Sequence, residues 1–177
     1  MTERIIIAGA GGQGIMLLGK IIATAAVRRD KHVVWLPAYG PEVRGGTAHC
    51  MLTISDEEIA SPYVDKADTL IAMNGPSLVK YKNRLKPGGI LVINSSLAAG
   101  KFSGKNQTVL SFPFTDIALE LGNIKIANMV ALGCFLSKKK ILSTQGIIEV
   151  ITDMAPRDKP GLLEINKKAL MRGFQLR

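Results

Sequence analysis

The sequence predicts an α/β fold built on a mostly parallel β-sheet. Three observations lead to this expectation. Short runs rich in β-branched residues alternate with stretches of helical periodicity, a glycine-rich loop joins the first strand to the first helix, and apolar residues suffice for a core. The chain has 177 residues, of which 47% are hydrophobic and 21% charged. This is typical of one ordinary domain, which we expect to span residues 1–177.

The individual elements follow from local patterns. We predict strands at residues 4–8, 31–36, 47–55, 69–73, 90–94 and 107–111, and helices at residues 15–28, 76–85, 116–121, 128–136, 144–154 and 160–174. Pro37 is expected to end the second strand, and residues 87–89 (PGG) to form a turn. Thr115 and Ser143 are expected to cap the helices that follow them.

A glycine fingerprint lies between the first strand and the first helix. The positions that match G-x-G-x-x-G are Gly9, Gly11 and Gly14, and Gly12 and Gln13 lie between them. Such loops bring backbone N–H groups and a helix N-terminus to an anion. A dinucleotide site also needs an acid at the end of the second strand, whereas Asp30 precedes that strand. A different phosphate-bearing ligand, or close packing against a partner, therefore remains open.

The role of Gln13 within this loop has three interpretations. Its amide both donates and accepts hydrogen bonds, so it could hold a second loop in place or face a partner. It could equally be an exposed spacer.

A second glycine loop, residues 37–46, follows the second strand and contains Arg44, Gly45 and Gly46. Loops at the carboxyl ends of parallel strands line the ligand crevice of an open α/β sheet, so both glycine loops should meet there. The Arg44 guanidinium suits a phosphate or carboxylate. Alternatively, Arg44 pairs with Glu42 or Asp68 on the surface.

The remaining candidates for chemistry are weak. Cys50 and Cys134 are far apart, so this chain alone has too few cysteines for a four-cysteine iron–sulfur cluster, and both are expected in the core. His32 and His49 lack metal-ligand spacing and are expected to be structural. We find no candidate acid, base or nucleophile. Without a signal peptide or a sufficiently long apolar run, we expect a cytoplasmic protein without a membrane span.

The net charge of +9 is unevenly distributed. No carboxylate occurs between Asp68 and Asp116, and the basic residues of that stretch are Lys80, Lys82, Arg84, Lys86, Lys101 and Lys105. The stretch is either a solvated face or a docking surface for an acidic group. Aromatic residues are only 5% of the chain, which argues against nucleic acid.

Several segments resemble one family of proteins. They are GAGGQGIMLLGKIIATAA, YGPEVRGGTAHC, ISDEEIASPYV, ADTLIAMN, LKPGGILVINSSL and ELGNIKIANMVALG, and together they cover nearly the whole chain. They resemble the gamma subunits of 2-oxoacid:ferredoxin oxidoreductases. YGPEVRGG and ISDEEI look most like the type acting on 2-oxoglutarate, while types acting on pyruvate, branched-chain oxoacids or indolepyruvate share much of the pattern.

The resemblance carries further implications. It implies a Rossmann-like three-layer α/β/α sandwich of the gamma-domain type with a mixed, mostly parallel sheet. It implies an oxidoreductase complex with alpha, beta and ferredoxin-like delta subunits that forms an acyl-CoA, carbon dioxide and reduced external ferredoxin. Thiamine diphosphate and iron–sulfur clusters would lie on partner subunits. Gly11, Gly12, Gln13, Gly14, Arg44, Gly45 and Gly46, together with Gly9, would touch either coenzyme A or a neighbouring subunit.

Overall fold

The structure, a computed structural model, describes residues 1–40, 47–100, 106–156 and 158–176. The strands are β1 (Thr2–Ala10), β2 (His32–Tyr39), β3 (Thr47–Ser55), β4 (Ala67–Ala72), β5 (Leu85–Asn94) and β6 (Thr108–Phe112). The helices are α1 (Ile15–Val27), α2 (Gly75–Tyr81), α3 (Phe114–Glu120), α4 (Ala127–Lys138), α5 (Thr144–Met154) and α6 (Pro160–Phe174). Two short 3-10 helices span Lys82–Arg84 and Ile124–Ile126.

The described strands form a mixed sheet in the order β2-β3-β1-β4-β5-β6. β1, β4, β5 and β6 are parallel neighbours, and β3 runs antiparallel to both β1 and β2. The expected mostly parallel sheet is therefore confirmed. β1 and β2 run in the same direction, as the sequence predicted, but β3 lies between them.

A predicted strand end and a predicted turn both lie inside strands. β2 continues through Pro37, which is paired opposite Cys50. Because β2 is an edge strand, the missing N–H of Pro37 can face away from β3, and no hydrogen bond between strands is lost. Residues 87–89 belong to β5, where the pairing register shifts between Ala67 and Thr69. The predicted turn is thus a bulge, and Gly88 supplies its positive φ of 76°.

The two faces of the sheet are covered unequally. α1, α3, α4, α5 and α6 pack on one face, where Ile5 and Ile7 of β1 point into the larger core. α2 packs on the other face, against Ile6 and Ala8. The alternation along β1 places successive side chains in opposite cores, which makes three layers, as expected.

The helix ends confirm one predicted cap and correct another. Ser143 caps α5, since its Oγ accepts the Gly146 N–H at 3.1 Å. Thr115 does not cap α3, because Pro113 holds that position and Thr115 lies in the first turn. α2 is shorter than predicted and ends at Tyr81.

α4 and α6 approach each other closely through two glycines. A Cβ on Gly133 would collide with the Leu170 carbonyl, and one on Gly173 with the Val130 carbonyl. This contact buries α4, whose residues 127–136 are all buried, as its apolar sequence predicted. Within the described ranges, no helix has the length and apolarity required to cross a membrane.

Candidate functional site in the crevice at the ends of β1 and β4

A crevice lies where the chain leaves β1 and β4. α1 follows β1 onto one face of the sheet, and α2 follows β4 onto the other. Because the connections diverge between these two neighbouring parallel strands, their carboxyl ends form a topological switch point. This is the position at which open α/β sheets bind ligands.

The glycine loop after β1 forms one side of the crevice. Gly12 has φ 89° and Gly14 has φ 70°, both in the left-handed region that favours glycine. Gly14 is also the N-cap of α1, and a Cβ there would collide with the side-chain amide of Asn128. Gly11 and Gly12 are exposed, and Gly12 lines the pocket in the crevice. The loop conformation therefore depends on glycine at two positions.

Gln13 ties this loop to the neighbouring strand. Its Oε1 accepts the Ala10 N–H at 2.7 Å, and its Nε2 donates to the Met73 carbonyl at 3.2 Å. Gln13 is half-buried, so it is not an exposed spacer. Among the described residues, its amide bonds only to its own loop and to the residue after β4, a role that our three interpretations did not include.

Asn94, at the end of β5, organises the floor of the crevice. Its side chain is fully buried, and its Nδ2 donates to the Met73 carbonyl at 3.2 Å and to Thr115 Oγ1 at 2.8 Å. Its Oδ1 accepts the Thr115 N–H at 3.3 Å. The sequence analysis did not identify Asn94 or Thr115 as site residues. An asparagine at the end of an apolar strand could have indicated Asn94, because a buried amide needs hydrogen-bond partners.

Asn128 holds the loop from the opposite side. It lies in the first turn of α4, is 2% exposed, and donates from Nδ2 to the Gly14 carbonyl at 3.2 Å. Sequence reasoning also missed this residue, because the contact joins positions 114 residues apart. Three amide side chains therefore hold the crevice in shape, those of Gln13, Asn94 and Asn128.

The crevice encloses a pocket of about 150 Å³. Its lining residues include Gly12, Gln13, Met73, Leu97, Thr115, Ile124, Lys125 and Ala127. Most of this wall is apolar, and the polar side chains are Gln13, Thr115 and Lys125. This combination of apolar walls and few polar groups is typical of small-molecule sites.

The second glycine loop was predicted at residues 37–46, but residues 37–39 belong to β2, and Gly40 and Thr47 lie beside the end of β1. Arg44, Gly45 and Gly46 lie outside the described residues. At the base of their loop, the Gly40 N–H donates to the Thr47 carbonyl at 2.7 Å. Thr47 is in turn paired with Ala10, the last residue of β1. The loop is thus anchored at the same edge of the sheet as Gly9–Gly14.

Two basic residues of the segment between Asp68 and Asp116 make contacts within the chain. Lys86 forms an ion pair with Asp68 at 2.6 Å. The Arg84 guanidinium donates to the carbonyls of Val64 and Asp65 and lies over the Tyr63 ring at 4.9 Å. Lys101 and Lys105 lie outside the described residues, while Lys80 and Lys82 are exposed. Lys86 is therefore neutralised by a carboxylate, whereas Arg84 is held in place by neutral groups and keeps its positive charge.

His49 and the two cysteines have structural surroundings. The His49 ring lies 5.2 Å from the Tyr81 ring, and burial, followed by Lys80 and Arg84, lowers the pKa of His49. Burial raises the pKa of the Cys50 thiol to about 11 and that of Cys134 to about 12. Both thiols are thus neutral core groups at pH 7, as expected. Where the structure describes the chain, no group of three or more His, Cys, Asp or Glu side chains could hold a metal ion.

The sheet order bears on dinucleotide binding. In the dinucleotide fold, the strand beside β1 carries the acid that holds the ribose. Here that neighbour is the antiparallel β3, and β2 is one strand further away. Asp30 is exposed and precedes β2, as the sequence indicated. The glycine fingerprint therefore lacks the ribose-binding half of a dinucleotide site.

These features define a Rossmann-like α/β protein with a pocket at its switch point. Residues 4–176 match the protein family described as Pyruvate ferredoxin/flavodoxin oxidoreductase. Because the match covers nearly the whole chain, the chain belongs to this family.

Two relatives carry different substrate names. The chain is 36% identical to the 2-oxoglutarate synthase subunit KorC of Methanocaldococcus jannaschii, over 99% of this chain and 94% of that protein. It is 42% identical to the ketoisovalerate oxidoreductase subunit VorA of Methanothermobacter thermautotrophicus, over 76% of this chain and 28% of that protein. The chain thus spans only about a third of the length of VorA proteins.

Two solved structures share the fold over almost all of this chain. The gamma subunit of a keto/oxoacid ferredoxin oxidoreductase from Geobacter sulfurreducens has a TM-score of 0.82 and 32% identity, covering 98% of this chain and 96% of that one. A 2-oxoglutarate:ferredoxin oxidoreductase from Magnetococcus marinus has a TM-score of 0.90 and 27% identity, covering 99% of this chain and 31% of that one. The resemblance to gamma subunits is confirmed.

Proposed function

We propose that this chain is the gamma subunit of a 2-oxoglutarate:ferredoxin oxidoreductase complex. The complex would convert 2-oxoglutarate, coenzyme A and oxidised ferredoxin into succinyl-CoA, carbon dioxide and reduced ferredoxin. The isolated chain is inactive in this proposal, because its sequence contains no recognisable catalytic acid, base or nucleophile. Its contribution is to support assembly and to shape the coenzyme A side of the active site.

The full-length match to KorC carries the choice of substrate. KorC aligns with this chain over nearly the entire length of both proteins, which is the pattern of equivalent separate subunits. The two VorA matches have higher identity, 42% and 38%, and cover 76% and 96% of this chain, but they align with only 28% and 35% of the VorA proteins. A gamma subunit for a branched-chain oxoacid, pyruvate or indolepyruvate enzyme is the alternative within the family.

The geometry of the crevice supports a role near coenzyme A. The structure from Magnetococcus marinus, which contains this fold, is described with 2-oxoglutarate, coenzyme A and succinyl-CoA bound. In this chain, Gly11 and Gly12 are exposed, and Gly12 lines the largely apolar pocket. Gly40 and Thr47, which flank the segment that contains Arg44, Gly45 and Gly46, lie at the same end of the sheet. Backbone N–H groups with an arginine suit phosphates, and the same loops could instead contact a subunit.

The proposed partners follow from this role. Alpha and beta subunits would carry thiamine diphosphate, and iron–sulfur clusters would lie on the beta subunit or on a ferredoxin-like delta subunit. External ferredoxin would accept the electrons. We propose a cytoplasmic complex. A stand-alone NAD or FAD enzyme is the rival from another class, and the position of β3 between β1 and β2 argues against it.

Reconstitution tests the proposal. The chain is expressed with a tag in its native host, and the proteins that co-purify are identified. Alpha and beta subunits should be recovered, and the complex should reduce ferredoxin only when both an oxoacid and coenzyme A are present. The purified chain alone should reduce none.

Two controls make this result decisive. A complex assembled without this chain should lose most of its activity, and full activity in its absence would contradict the proposal. Comparing kcat/KM for 2-oxoglutarate, 2-oxoisovalerate, pyruvate and indolepyruvate assigns the substrate. We expect the highest value for 2-oxoglutarate, whereas a preference for 2-oxoisovalerate would favour the branched-chain alternative.

A further inference from the structure

The Thr115 hydroxyl has an unused proton at the floor of the crevice. Thr115 is 7% exposed and lines the pocket. Its Oγ1 accepts a hydrogen bond from Asn94 Nδ2 at 2.8 Å, so its own O–H must donate elsewhere. Within the described residues, this proton has no acceptor. A buried donor without an acceptor is costly unless a ligand or water supplies one.

Asn94 determines that Thr115 acts as a donor. Both hydrogens of Asn94 Nδ2 are used, one toward the Met73 carbonyl at 3.2 Å and one toward Thr115. Its Oδ1 is occupied by the Thr115 N–H, so the amide cannot turn around without placing two oxygens together. Thr115 Oγ1 therefore always faces an N–H on one side, and its proton is directed away from Asn94.

Gln13 supplies a second donor on the same floor. One N–H of Gln13 Nε2 is used by the Met73 carbonyl, while its Oε1 is occupied by the Ala10 N–H. The other N–H of Nε2 has no partner in the described part of the chain. Gln13 and Thr115 both line the pocket. Their two free hydrogens make the pocket floor a donor surface, which selects an oxygen acceptor.

The walls indicate what carries that oxygen. Leu97 is 47% exposed and Ile124 is 52% exposed, and both line the pocket. An apolar chain lying between them would remove this surface from water. Lys125 stands at the rim and suits an anionic end group. The pocket thus fits an extended, largely apolar chain with a carbonyl or phosphate oxygen in its middle.

We propose that Thr115 and Gln13 are ligand-binding residues that donate hydrogen bonds to one oxygen of such a chain, and that Asn94 is the positioning residue that orients Thr115. This inference rests on the proposed function, in which coenzyme A is the ligand. Coenzyme A offers both kinds of oxygen, amide carbonyls on its pantetheine arm and phosphates beyond it.

The test compares Thr115→Val with Thr115→Ser in the purified complex. Valine removes the hydroxyl, whereas serine keeps it. Calorimetry measures the affinity for coenzyme A, for pantetheine and for adenosine 3′,5′-bisphosphate, which lacks the arm. We expect Thr115→Val to weaken coenzyme A binding about tenfold, the size of one hydrogen bond in a partly dry site. Thr115→Ser should stay within about threefold of the wild type by the same reasoning.

The two fragments show which oxygen is bound. Weaker binding of pantetheine to Thr115→Val identifies an amide carbonyl, and weaker binding of the bisphosphate alone identifies a phosphate. Either result supports the proposal. Equal affinity of Thr115→Val and wild type for all three probes overturns it, and so does a wild-type complex that binds none of them.

A stability control separates binding from folding. Ser143→Ala removes the cap of α5, far from the crevice, and costs about as much as one hydrogen bond. It should lower the melting temperature without changing any affinity. If Thr115→Val behaves in the same way, Thr115 is only structural and the proposal is wrong. Absence of oxoacid oxidation by the wild-type complex would contradict the proposed function, whereas the binding comparison still decides the role of Thr115.

Discussion

Gln13 and Asn94 donate to one carbonyl oxygen, that of Met73, each from a distance of 3.2 Å. Gln13 follows β1 and Asn94 ends β5, so the shared carbonyl after β4 joins the carboxyl ends of three parallel strands. Both lone pairs of this buried oxygen are used. These hydrogen bonds fix the floor of the crevice. Substitutions at Gln13 should therefore change the free energy of unfolding.

Gln13→Glu should destabilise the protein at pH 7 and do so less in acid. The carboxylate keeps the bond from the Ala10 N–H but faces the Met73 carbonyl without a hydrogen to donate. We expect a loss of about 1–3 kcal/mol at pH 7. The repulsion should raise the pKa of the new carboxyl in the folded state, so the loss should be relieved as pH falls toward its unfolded value, about 4.3. Urea denaturation of both proteins between pH 7 and pH 4.5 measures the difference. A pH-independent difference would contradict this explanation.

Gly14→Ala and Asn128→Ala should be non-additive. Alanine at position 14 must adopt φ 70° and would also collide with the Asn128 amide, so we expect a loss of about 1–2 kcal/mol or more. Asn128→Ala removes the amide with which an alanine at position 14 would collide, and it also removes one buried hydrogen bond. In the double variant the collision is absent, and the coupling free energy should exceed about 0.5 kcal/mol. Chemical denaturation of the four proteins completes the cycle. Strict additivity would show that backbone strain at φ 70° alone accounts for the loss of stability in Gly14→Ala.

His49 should make stability depend on pH near neutrality. Its folded pKa lies below the usual 6.5, chiefly because of burial and then because of Lys80 and Arg84. A histidine with a lowered folded pKa favours folding when neutral, so this contribution is present above the unfolded pKa and is lost as pH falls through the folded pKa. His49→Gln should flatten the profile of unfolding free energy below pH 6.5. An unchanged slope in the variant would assign the pH dependence to other groups.

Arg44→Ala tests the second glycine loop. If Arg44 holds a coenzyme A phosphate, the KM for coenzyme A should rise about tenfold or more, the range of a charge-assisted hydrogen bond. The KM for 2-oxoglutarate should stay nearly unchanged. Arg44→Lys serves as the control, since it keeps the charge and loses the planar fork. Dissociation of the Arg44→Ala complex on a sizing column would instead make Arg44 an interface residue.

The sequence and the structure agree best where a signal is local. The cap at Ser143, the strand Thr47–Ser55 and the helix Pro160–Phe174 match the predicted bounds, because caps, alternation and helical periodicity act within a few residues. The predictions at Pro37 and at residues 87–89 were wrong for one common reason. Each residue has a place in the sheet that tolerates it, since the missing N–H of Pro37 lies in an edge strand and the positive φ of Gly88 lies at the bulge in β5.

The candidate site divides in the same way. Its glycines were predicted by their spacing and their place after a strand, and Gly12 and Gly14 have the positive φ values that this loop requires. The amides of Asn94 and Asn128 were not predicted, because their partners lie 21 and 114 residues away. The spacing of residues in the sequence indicates which residues a turn requires. It does not indicate which distant side chain forms a hydrogen bond with a buried polar group.

The sequence by itself determined the α/β class, the glycine loop after β1, the buried position of the two cysteines and the resemblance to a family. These depend on composition and on interactions between near neighbours in the chain. Only the tertiary structure placed β3 between β1 and β2, joined Gln13 and Asn94 at the Met73 carbonyl, and brought Thr115, which lines the pocket, beside Asn94. These features depend on strand order and on the geometry of buried hydrogen bonds, which are settled when distant segments pack together.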